Sequence, residues 1–480
     1  MWKRRLCAIV LLVAVLPSAQ PCCGGFSEYG LENDPLTGNL ERFYLHLVRP
    51  GKTLDQVTSD GETSANRALA DEDAGDWTRA QDDWQEAMHG IDCESASAWR
   101  LREIRDRLDL LPVVGGMIPA ALWHRYAVAA YHQTDLYRRV DVTAIAPDLL
   151  ALTTDANQPI AAAALTSIAW RELQAGQMPA ARAHLASAAT LDPQGAKGDE
   201  IGYLQVIAPI YAHAGNGWGI DDPAGTLNAI QAWLTAHPSS PWRFHARSWQ
   251  AGILYHHREL AWGQDSDGLF AAVRIWQHLL LTAQADELFV PAVESLRFAY
   301  RKMRPAPPAW VVADPRHAAA FYWHAFTDPS YGWADAPGQD LDAKRKAMLA
   351  DAAPAMARFA ASDADPALME AVADTWIAAG HPEVALPLAS RALGAMPSPR
   401  LRYEVARLQA DAGDATAAAA TIAGGAIDGD VGDPRPLPGA ERFDLLVRIG
   451  GDWEIHGDWH RALRRLPQSA ADAPRREADR

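Results

Sequence analysis

The chain has 480 residues, of which 49% are hydrophobic and 22% are charged. This composition is typical of a folded globular protein and excludes an intrinsically disordered one. Acidic residues outnumber basic ones by 60 to 44, giving a net charge of -16. Nucleic acid is therefore not expected as a partner, because its phosphate backbone repels a strongly acidic surface.

The first 19 residues have the three parts of a secretory signal peptide. Residues 3–5 are basic, residues 6–16 form an apolar run, and residues 17–19 end it with proline and small side chains. The apolar run is shorter than the roughly 20 residues of a membrane-spanning helix, and no later segment is long and apolar enough. We therefore expect a periplasmic or secreted protein of the Gram-negative cell envelope, with no transmembrane segment in the mature chain.

Residues 20–60 are expected to form an N-terminal extended segment, and they contain two of the three cysteines that remain after signal cleavage. In an oxidising compartment these predict one disulfide, which joins Cys93 to either Cys22 or Cys23. A metal or redox site at the vicinal pair is disfavoured, because the C-x-x-C spacing is missing. A lipoprotein is the less favoured alternative, since Gln and Pro precede Cys22 where processing requires a small residue.

From residue 61 onward, apolar and small residues recur at the spacing of paired helices. The clearest unit lies between residues 165 and 193 and contains Leu165, Ile168, Ala169, Gly176, Ala181, Leu185, Ala188 and Pro193. Small side chains at Ala169 and Ala181 allow two helices to cross closely. Gly176 can end the first helix with a positive φ, and Pro193 cannot continue the second.

The same frame returns several times. It fits residues 369–397 and 405–422, where Gly380 and Gly413 stand 33 residues apart. Its second half fits residues 68–87, and its first half fits residues 446–462. Residues 95–150 and 242–350 are expected to be helical but lie outside the frame.

This pattern of a small residue, a glycine turn, alanine, a bulky residue, alanine and proline resembles the tetratricopeptide repeat (TPR) family. The resemblance implies an all-α fold, an α-solenoid of antiparallel helix pairs wound as a right-handed superhelix. We expect an N-terminal helical-repeat array at 61–304 and a C-terminal TPR-like array at 341–466. A Pro/Gly/Trp-rich seam at 305–340 separates the arrays, and a disordered tail follows at 467–480.

In the TPR family, the first helices of successive repeats line a groove that receives a peptide or protein. By this resemblance, the groove positions of the chain are Trp170, Leu173, Glu370, Asp374, Ile377, Arg400, Tyr403 and Arg407. The last three combine cations with an aromatic ring. Such a surface could accept a carboxylate or an acidic peptide, with arginine as a bidentate donor.

The sequence contains none of the common catalytic or phosphate-binding motifs, so neither an enzyme nor a cofactor is expected. His456 and His460 have the spacing of metal ligands on a helix, but Gly457 between them favours two separate helix ends. Four carboxylates cluster around one turn, at Asp71, Glu72, Asp73 and Asp76. They lack the spacing of a calcium loop, which favours a simple acidic turn.

The favoured function is an exported protein–protein interaction scaffold or adaptor of the bacterial envelope, with a peptide or protein partner in its groove. One alternative is an enzyme with a pocket in the off-pattern region 242–350, where Trp, His, Tyr and Asp are dense. The other is a structural solenoid that self-associates through its terminal repeats, because incompletely capped ends expose apolar surface.

Overall fold

The computed structural model describes residues 40, 43–45, 47, 50, 54–88, 97–139, 145–192, 195–212, 219–282, 289–303, 307–327 and 341–424. Within these residues the regular structure is helical, and extended backbone is limited to two isolated bridges. The signal peptide, Cys22, Cys23, Cys93, His456, His460, the helix pair at 446–462 and the tail at 467–480 lie outside the described residues. No helix of the described part is both long and apolar enough to cross a membrane.

The chain divides into two compact units. The described part of unit 1 extends from Asp55 to Leu279 and includes the start of a helix that continues into unit 2. Unit 2 contains the chain from Val293 onward, and also residues 40–54. The division therefore falls at residues 280–293, ahead of the expected seam at 305–340.

Unit 1 contains the helices α1 to α11, apart from Leu54 and residues 280–282, and a 3₁₀ helix at Leu111–Val113 between α3 and α4. They are α1 (Leu54–Ala74), α2 (Trp77–Met88), α3 (Ser97–Leu110), α4 (Ala120–Arg139), α5 (Pro147–Leu152), α6 (Gln158–Gln174), α7 (Met178–Leu191), α8 (Gly198–Tyr211), α9 (Pro223–Ala236), α10 (Arg243–His256) and α11 (Gly268–Thr282). The pair α6–α7 follows the predicted frame. Gly176 has φ +71°, and its N–H donates to the Leu173 carbonyl at 3.0 Å. Ala181, Leu185 and Ala188 are buried, as the spacing predicts.

Unit 2 contains the end of α12 (Phe289–Lys302), followed by α13 (Pro315–Thr327), α14 (Leu341–Ala360), α15 (Pro366–Ala378), α16 (Pro382–Ala395), α17 (Pro399–Asp411) and α18 (Ala415–Ala423). The pairs α15–α16 and α17–α18 turn at Gly380 and Gly413, where φ is +82° and +79°. The N–H of His381 donates to the Trp376 carbonyl at 2.9 Å, which completes a glycine cap of the Schellman type. Ala385 and Ala389 are buried in the partner helix. The fold is therefore all-α, and within each unit it is an α-solenoid of antiparallel helix pairs, as predicted.

Two segments differ from the sequence-based expectation. Residues 20–60 are not extended throughout, because residues 40, 43–45 and 47 are helical and α1 begins at Leu54. The expected seam at 305–340 contains the helix α13. Its run of alanine and aromatic residues from Ala318 to Phe326 is buried, and this burial outweighs the helix-breaking composition on either side.

Candidate functional site

The predicted groove positions of the C-terminal repeats lie on α15 and α17. Both helices begin with a capping side chain followed by proline: Asp365 accepts from the Ala367 N–H at 3.1 Å, and Ser398 accepts from the Leu401 N–H at 3.1 Å. Each helix then buries an apolar face. That face comprises Leu368, Met369, Val372, Ala373 and Trp376 on α15, and Leu401, Val405, Ala406 and Leu408 on α17.

The six groove positions on these helices are half-buried, and one of them, Tyr403, packs against the core that α17 forms with α18. They are Glu370, Asp374, Ile377, Arg400, Tyr403 and Arg407. Arg400 on α17 donates to Asp374 on α15 at 3.0 Å, with 29% and 41% of the two side chains exposed. The structure therefore brings Asp374 and Arg400 together, and this ion pair joins the first helices of two successive repeats.

Arg407 is engaged within its own helix. Its guanidinium donates to Glu404 at 2.7 Å and lies 3.7 Å from Asp411. Burial lowers the pKa of Arg407, but the hydrogen bond and the attraction of these carboxylates outweigh it, so the pKa is raised. Arg400 and Arg407 therefore both have carboxylate partners in the chain. An acidic ligand would therefore have to displace Asp374 from Arg400, or Glu404 from Arg407.

The two groove positions predicted in unit 1 are buried, which corrects the expectation of a groove surface there. Leu173 is fully buried, and Trp170 is 7% exposed. The Trp170 ring packs against Tyr211 and Trp242, each with a centroid distance of 6.3 Å. The reason is the position of α6, which contacts α4, α5, α7 and α8, so that every residue from Pro159 to Leu173 is buried.

Unit 1 contains a buried charged cluster that the sequence analysis did not anticipate. Lys197 is fully buried, and its ammonium lies 2.5 Å from Asp106, 2.9 Å from Asp109 and 2.8 Å from Glu200. Tyr126 donates to Asp106 as well. Burial lowers the pKa of Lys197, yet the three carboxylates reverse this and raise it. Lys197 is therefore held as a cation by groups from α3 and the start of α8.

A second buried ion pair lies nearby and shares α3. Arg107 binds both carboxylate oxygens of Glu72, at 2.6 and 2.5 Å, and also Glu103 at 3.0 Å. The indole N–H groups of Trp84 and Trp123 donate to the same Glu72 carboxylate at 2.6 and 3.2 Å. Glu72 was one of the four carboxylates considered for a calcium loop. The structure instead makes it the acceptor that connects α1 with α2, α3 and α4.

The local sequence did contain a signal for these clusters. Residues 103–107 read Glu-Ile-Arg-Asp-Arg, and all five are buried on α3. Such a charged run normally covers a solvated helix face. Its partners at Glu72 and Lys197 are 35 and about 90 residues away in the chain, so only the fold brings them together.

The region 242–350, considered as the location of an enzyme pocket, is shared between the two units. Its buried histidines contact aromatic rings. His245 packs against Tyr203 and Trp242, with centroid distances of 6.2 and 5.4 Å, and His317 hydrogen-bonds to Tyr44 at 3.1 Å. Within the described residues, no group of His, Cys, Asp or Glu has the arrangement of a metal site.

Comparisons with known proteins add little to this picture. No known protein family matches the chain, and no curated protein matches it. Among solved structures, it is similar to one described as the structure of Naa15/Naa10 bound to HypK-THB. The two chains are 14% identical, and the match covers 92% of this chain and 71% of that chain, with a TM-score of 0.27. A TM-score this low supports no inference, so the fold assignment rests on the helix pairs themselves.

Proposed function

We propose that this chain is a non-enzymatic interaction scaffold or adaptor of the bacterial cell envelope. Its peptide or protein partner binds on the surface formed by α15 and α17. The Asp374–Arg400 ion pair carries this proposal, because it aligns the first helices of two successive repeats at 3.0 Å. Their outward side chains then form one continuous, half-buried surface rather than isolated exposed residues.

The chemistry of this surface suits a partner with mixed character. Glu370 and Ile377 lie within four residues of Asp374 on α15, and Tyr403 lies three residues after Arg400 on α17, so acidic, aliphatic and aromatic groups, all half-buried, lie at neighbouring positions of the two helices. Partly exposed ion pairs contribute little to folding and exchange readily with a competing charge. A peptide that carries both a carboxylate and an apolar side chain can therefore replace Asp374 at Arg400 and cover Tyr403.

The envelope location in this proposal is supported by the sequence of residues 1–19, with its basic start, apolar run and small-residue end. A solenoid scaffold needs no catalytic group, since its binding surface arises from repeated helix pairs. The argument for the envelope location does not depend on the argument for the binding surface. A partner could bind the α15–α17 surface in any compartment.

The proposal can be tested by affinity capture of the full chain from an envelope fraction, with mass spectrometry of the retained proteins. The informative variant is Arg400→Ala with Tyr403→Ala, and its matched control is Arg391→Ala, an exposed arginine on the second helix α16. We expect one dominant partner on the unmodified chain and on the control, and roughly tenfold less on the double variant, because central arginine and tyrosine contacts dominate interfaces. Equal capture by all three chains would contradict the assignment of the surface.

A further inference from the structure

A short helical segment before α1 has the spacing of a helix that binds in a groove. Leu40, Phe43, Tyr44 and Leu47 follow the pattern i, i+3, i+4 and i+7, which places them on one helical face. Leu40 is 1% exposed, and Phe43 and Tyr44 are fully buried. Leu47 is half-buried, and Leu45 on another side of the helix is 2% exposed. The residues that cover the aromatic pair belong to unit 2.

Phe43 packs between two helices of unit 2. Its ring centroid lies 5.6 Å from that of Trp323 on α13 and 5.5 Å from that of Phe359 on α14. Both partner side chains are themselves buried. Phe43 thus occupies an aromatic pocket that α13 and α14 form together.

Tyr44 adds a polar contact beside this pocket. Its hydroxyl lies 3.1 Å from Nδ1 of His317 on α13 and 3.4 Å from the hydroxyl of Tyr300 on α12. Burial lowers the pKa of His317 to about 4, so the imidazole is neutral at pH 7 and can share a hydrogen bond with a phenol. Burial also raises the pKa of Tyr44, which keeps its hydroxyl protonated.

The order of the chain sets this segment apart from the rest of unit 2. The other described helices of unit 2, α12 to α18, follow one another in sequence as a solenoid does. Residues 40–50 instead precede the main described part of unit 1, from Asp55 to Leu279, which separates them from the other helices of unit 2. Unit 2 can therefore keep its consecutive helix pairs when this segment leaves.

We propose that Tyr300, His317, Trp323 and Phe359 form a helix-binding site, called here the Phe-Tyr site, and that Phe43 and Tyr44 occupy it as the anchors of a built-in ligand. The partner it fits is an amphipathic helix of another protein with the pattern Leu-x-x-Phe-Tyr-x-x-Leu. That partner must displace residues 40–47. The Phe-Tyr site is separate from the α15–α17 surface, so either proposal can fail without the other.

The site makes distinct demands on the two aromatic positions of the partner. The first must be an apolar ring, because Trp323 and Phe359 surround it. The second must carry a hydroxyl, because Nδ1 of His317 is buried and lies at hydrogen-bonding distance. Replacing the second ring by phenylalanine should weaken binding about fivefold, in line with one neutral hydrogen bond.

The test uses the full chain and a fluorescein-labelled synthetic peptide of residues 36–50, with binding followed by fluorescence anisotropy. The chain carrying Phe43→Ala and Tyr44→Ala should bind the peptide saturably. The unmodified chain should bind it at least about tenfold more weakly, because its own segment competes at high effective concentration. Tyr131→Ala, an exposed tyrosine of unit 1 that is 53% exposed, is the matched control and should behave as the unmodified chain.

Two further results decide the assignment. Adding Trp323→Ala to the double variant should abolish peptide binding, and a peptide with both aromatic residues replaced by alanine should not bind. If the double variant retains its helical circular dichroism but does not bind the peptide, the segment is a fixed part of the core and the proposal is wrong. Equal affinity for the double variant and the unmodified chain would also overturn it, since the peptide would then bind elsewhere.

If the double variant does not fold, the test can be made on a chain with a specific protease site inserted between Gly51 and Lys52. This chain keeps Phe43 and Tyr44 unchanged. After cleavage, we expect the N-terminal fragment to remain bound during size-exclusion chromatography and to be displaced by excess peptide of residues 36–50. The alanine peptide should not displace it. If the peptide of residues 36–50 does not displace the N-terminal fragment within about a day, the segment does not bind as an exchangeable ligand and the proposal is wrong.

Discussion

Lys197 is a charge that solvent does not reach, so its three carboxylate neighbours stabilise it almost alone. The Lys197→Met substitution shortens the unbranched side chain by one atom and removes the charge. It leaves three carboxylates buried without their cation, and breaking a buried ion pair in this way costs about 3–5 kcal/mol. We expect a loss of this size in urea unfolding followed by circular dichroism.

The matched control for this substitution is Lys346→Met on α14, where the lysine is exposed. Its effect should stay within about 0.5 kcal/mol, as is usual for surface positions. Similar losses in both variants would show that the buried cluster contributes no more than an ordinary surface lysine.

Asp109 should make the stability of unit 1 depend on pH. Burial raises its pKa to about 6, with Lys197 opposing the rise and Glu200 and Asp106 adding to it. In an unfolded chain an aspartate has a pKa of about 3.9, so the folded state binds the proton more tightly. Protonation of Asp109 therefore stabilises the folded state. This stabilisation is fully present below about pH 4 and is lost as the pH rises through about 6.

Asp109→Asn isolates this effect, because the amide stays neutral and still offers an oxygen to Lys197. The quantity to compare is the free energy of unfolding of the variant minus that of the unmodified chain. This difference should be larger at pH 7.5 than at pH 4, by up to about 3 kcal/mol. Denaturant unfolding of both chains at the two pH values measures this difference. A difference in stability that is the same at pH 4 and pH 7.5 would argue against proton binding at Asp109.

For single residues, sequence patterns predict apolar contacts better than they predict buried charges. Ala181, Leu185 and Ala188 were predicted from their spacing within one helix, and all three are buried. Lys197 and Asp106 were not, because an isolated lysine or aspartate is usually solvated and their contact spans about 90 residues of chain. Such a pair could be predicted only once the packing of α3 against the start of α8 was known.

Two glycines in the α15–α16 pair should respond in opposite ways to the same substitution. At Gly380, φ is +82°, a left-handed conformation that costs an alanine about 1–2 kcal/mol. Gly394 lies inside α16, where alanine is favoured over glycine by up to about 1 kcal/mol. A Cβ atom would meet nothing within 4 Å at either position, so backbone conformation alone decides the sign.

We therefore expect Gly380→Ala to destabilise the chain by about 1 kcal/mol and Gly394→Ala to stabilise it by about 0.5 kcal/mol. Thermal unfolding of the two variants in the same buffer provides the comparison. If both substitutions change stability in the same direction, the glycine cap at the turn between α15 and α16 is not the feature that ends α15.

The contact between α15 and α17 can be measured through the Asp374–Arg400 pair. A double-mutant cycle with Asp374→Ala and Arg400→Ala should give a coupling energy of about 0.5 kcal/mol, because the pair is partly exposed. The coupling should decrease at 1 M salt, where screening is strong. No coupling at low salt would mean that the two first helices do not meet at these residues in solution.

Elements were predicted most reliably where their signals are local. The turns at Gly176, Gly380 and Gly413 follow from glycine between two apolar periods, and each has a positive φ. Trp170 and Leu173 failed as groove positions because α6 is surrounded by four other helices, whereas α15 and α17 keep a half-buried face. The number of neighbours around a helix is a property of the assembled unit, and a repeat frame does not contain it.

On the scale of the whole molecule, the sequence predicts two arrays but not how the chain divides between them. Composition indicated a seam near Pro305 and beyond, yet α13 is an integral helix of unit 2, and the units divide at residues 280–293. Residues 40–50 belong to unit 2 although Asp55–Leu279 of unit 1 lies between them and the rest of unit 2. The packing of this early segment in unit 2 depends on contacts such as Phe43 with Trp323, which join residues separated by more than half the length of the chain.

Each unit has its own buried core, so each should respond separately to a core substitution. Lys197→Met perturbs unit 1, and Met369→Ala removes a fully buried side chain of α15 in unit 2, at a cost of about 3 kcal/mol. In hydrogen exchange with mass spectrometry, the first should speed exchange in α3, α6 and α8 and leave α15 to α17 unchanged. The second should do the reverse, because the free energy of opening is set by the contacts of each cooperative unit. Faster exchange in both sets of helices from either substitution would mean that the two cores unfold as one cooperative unit.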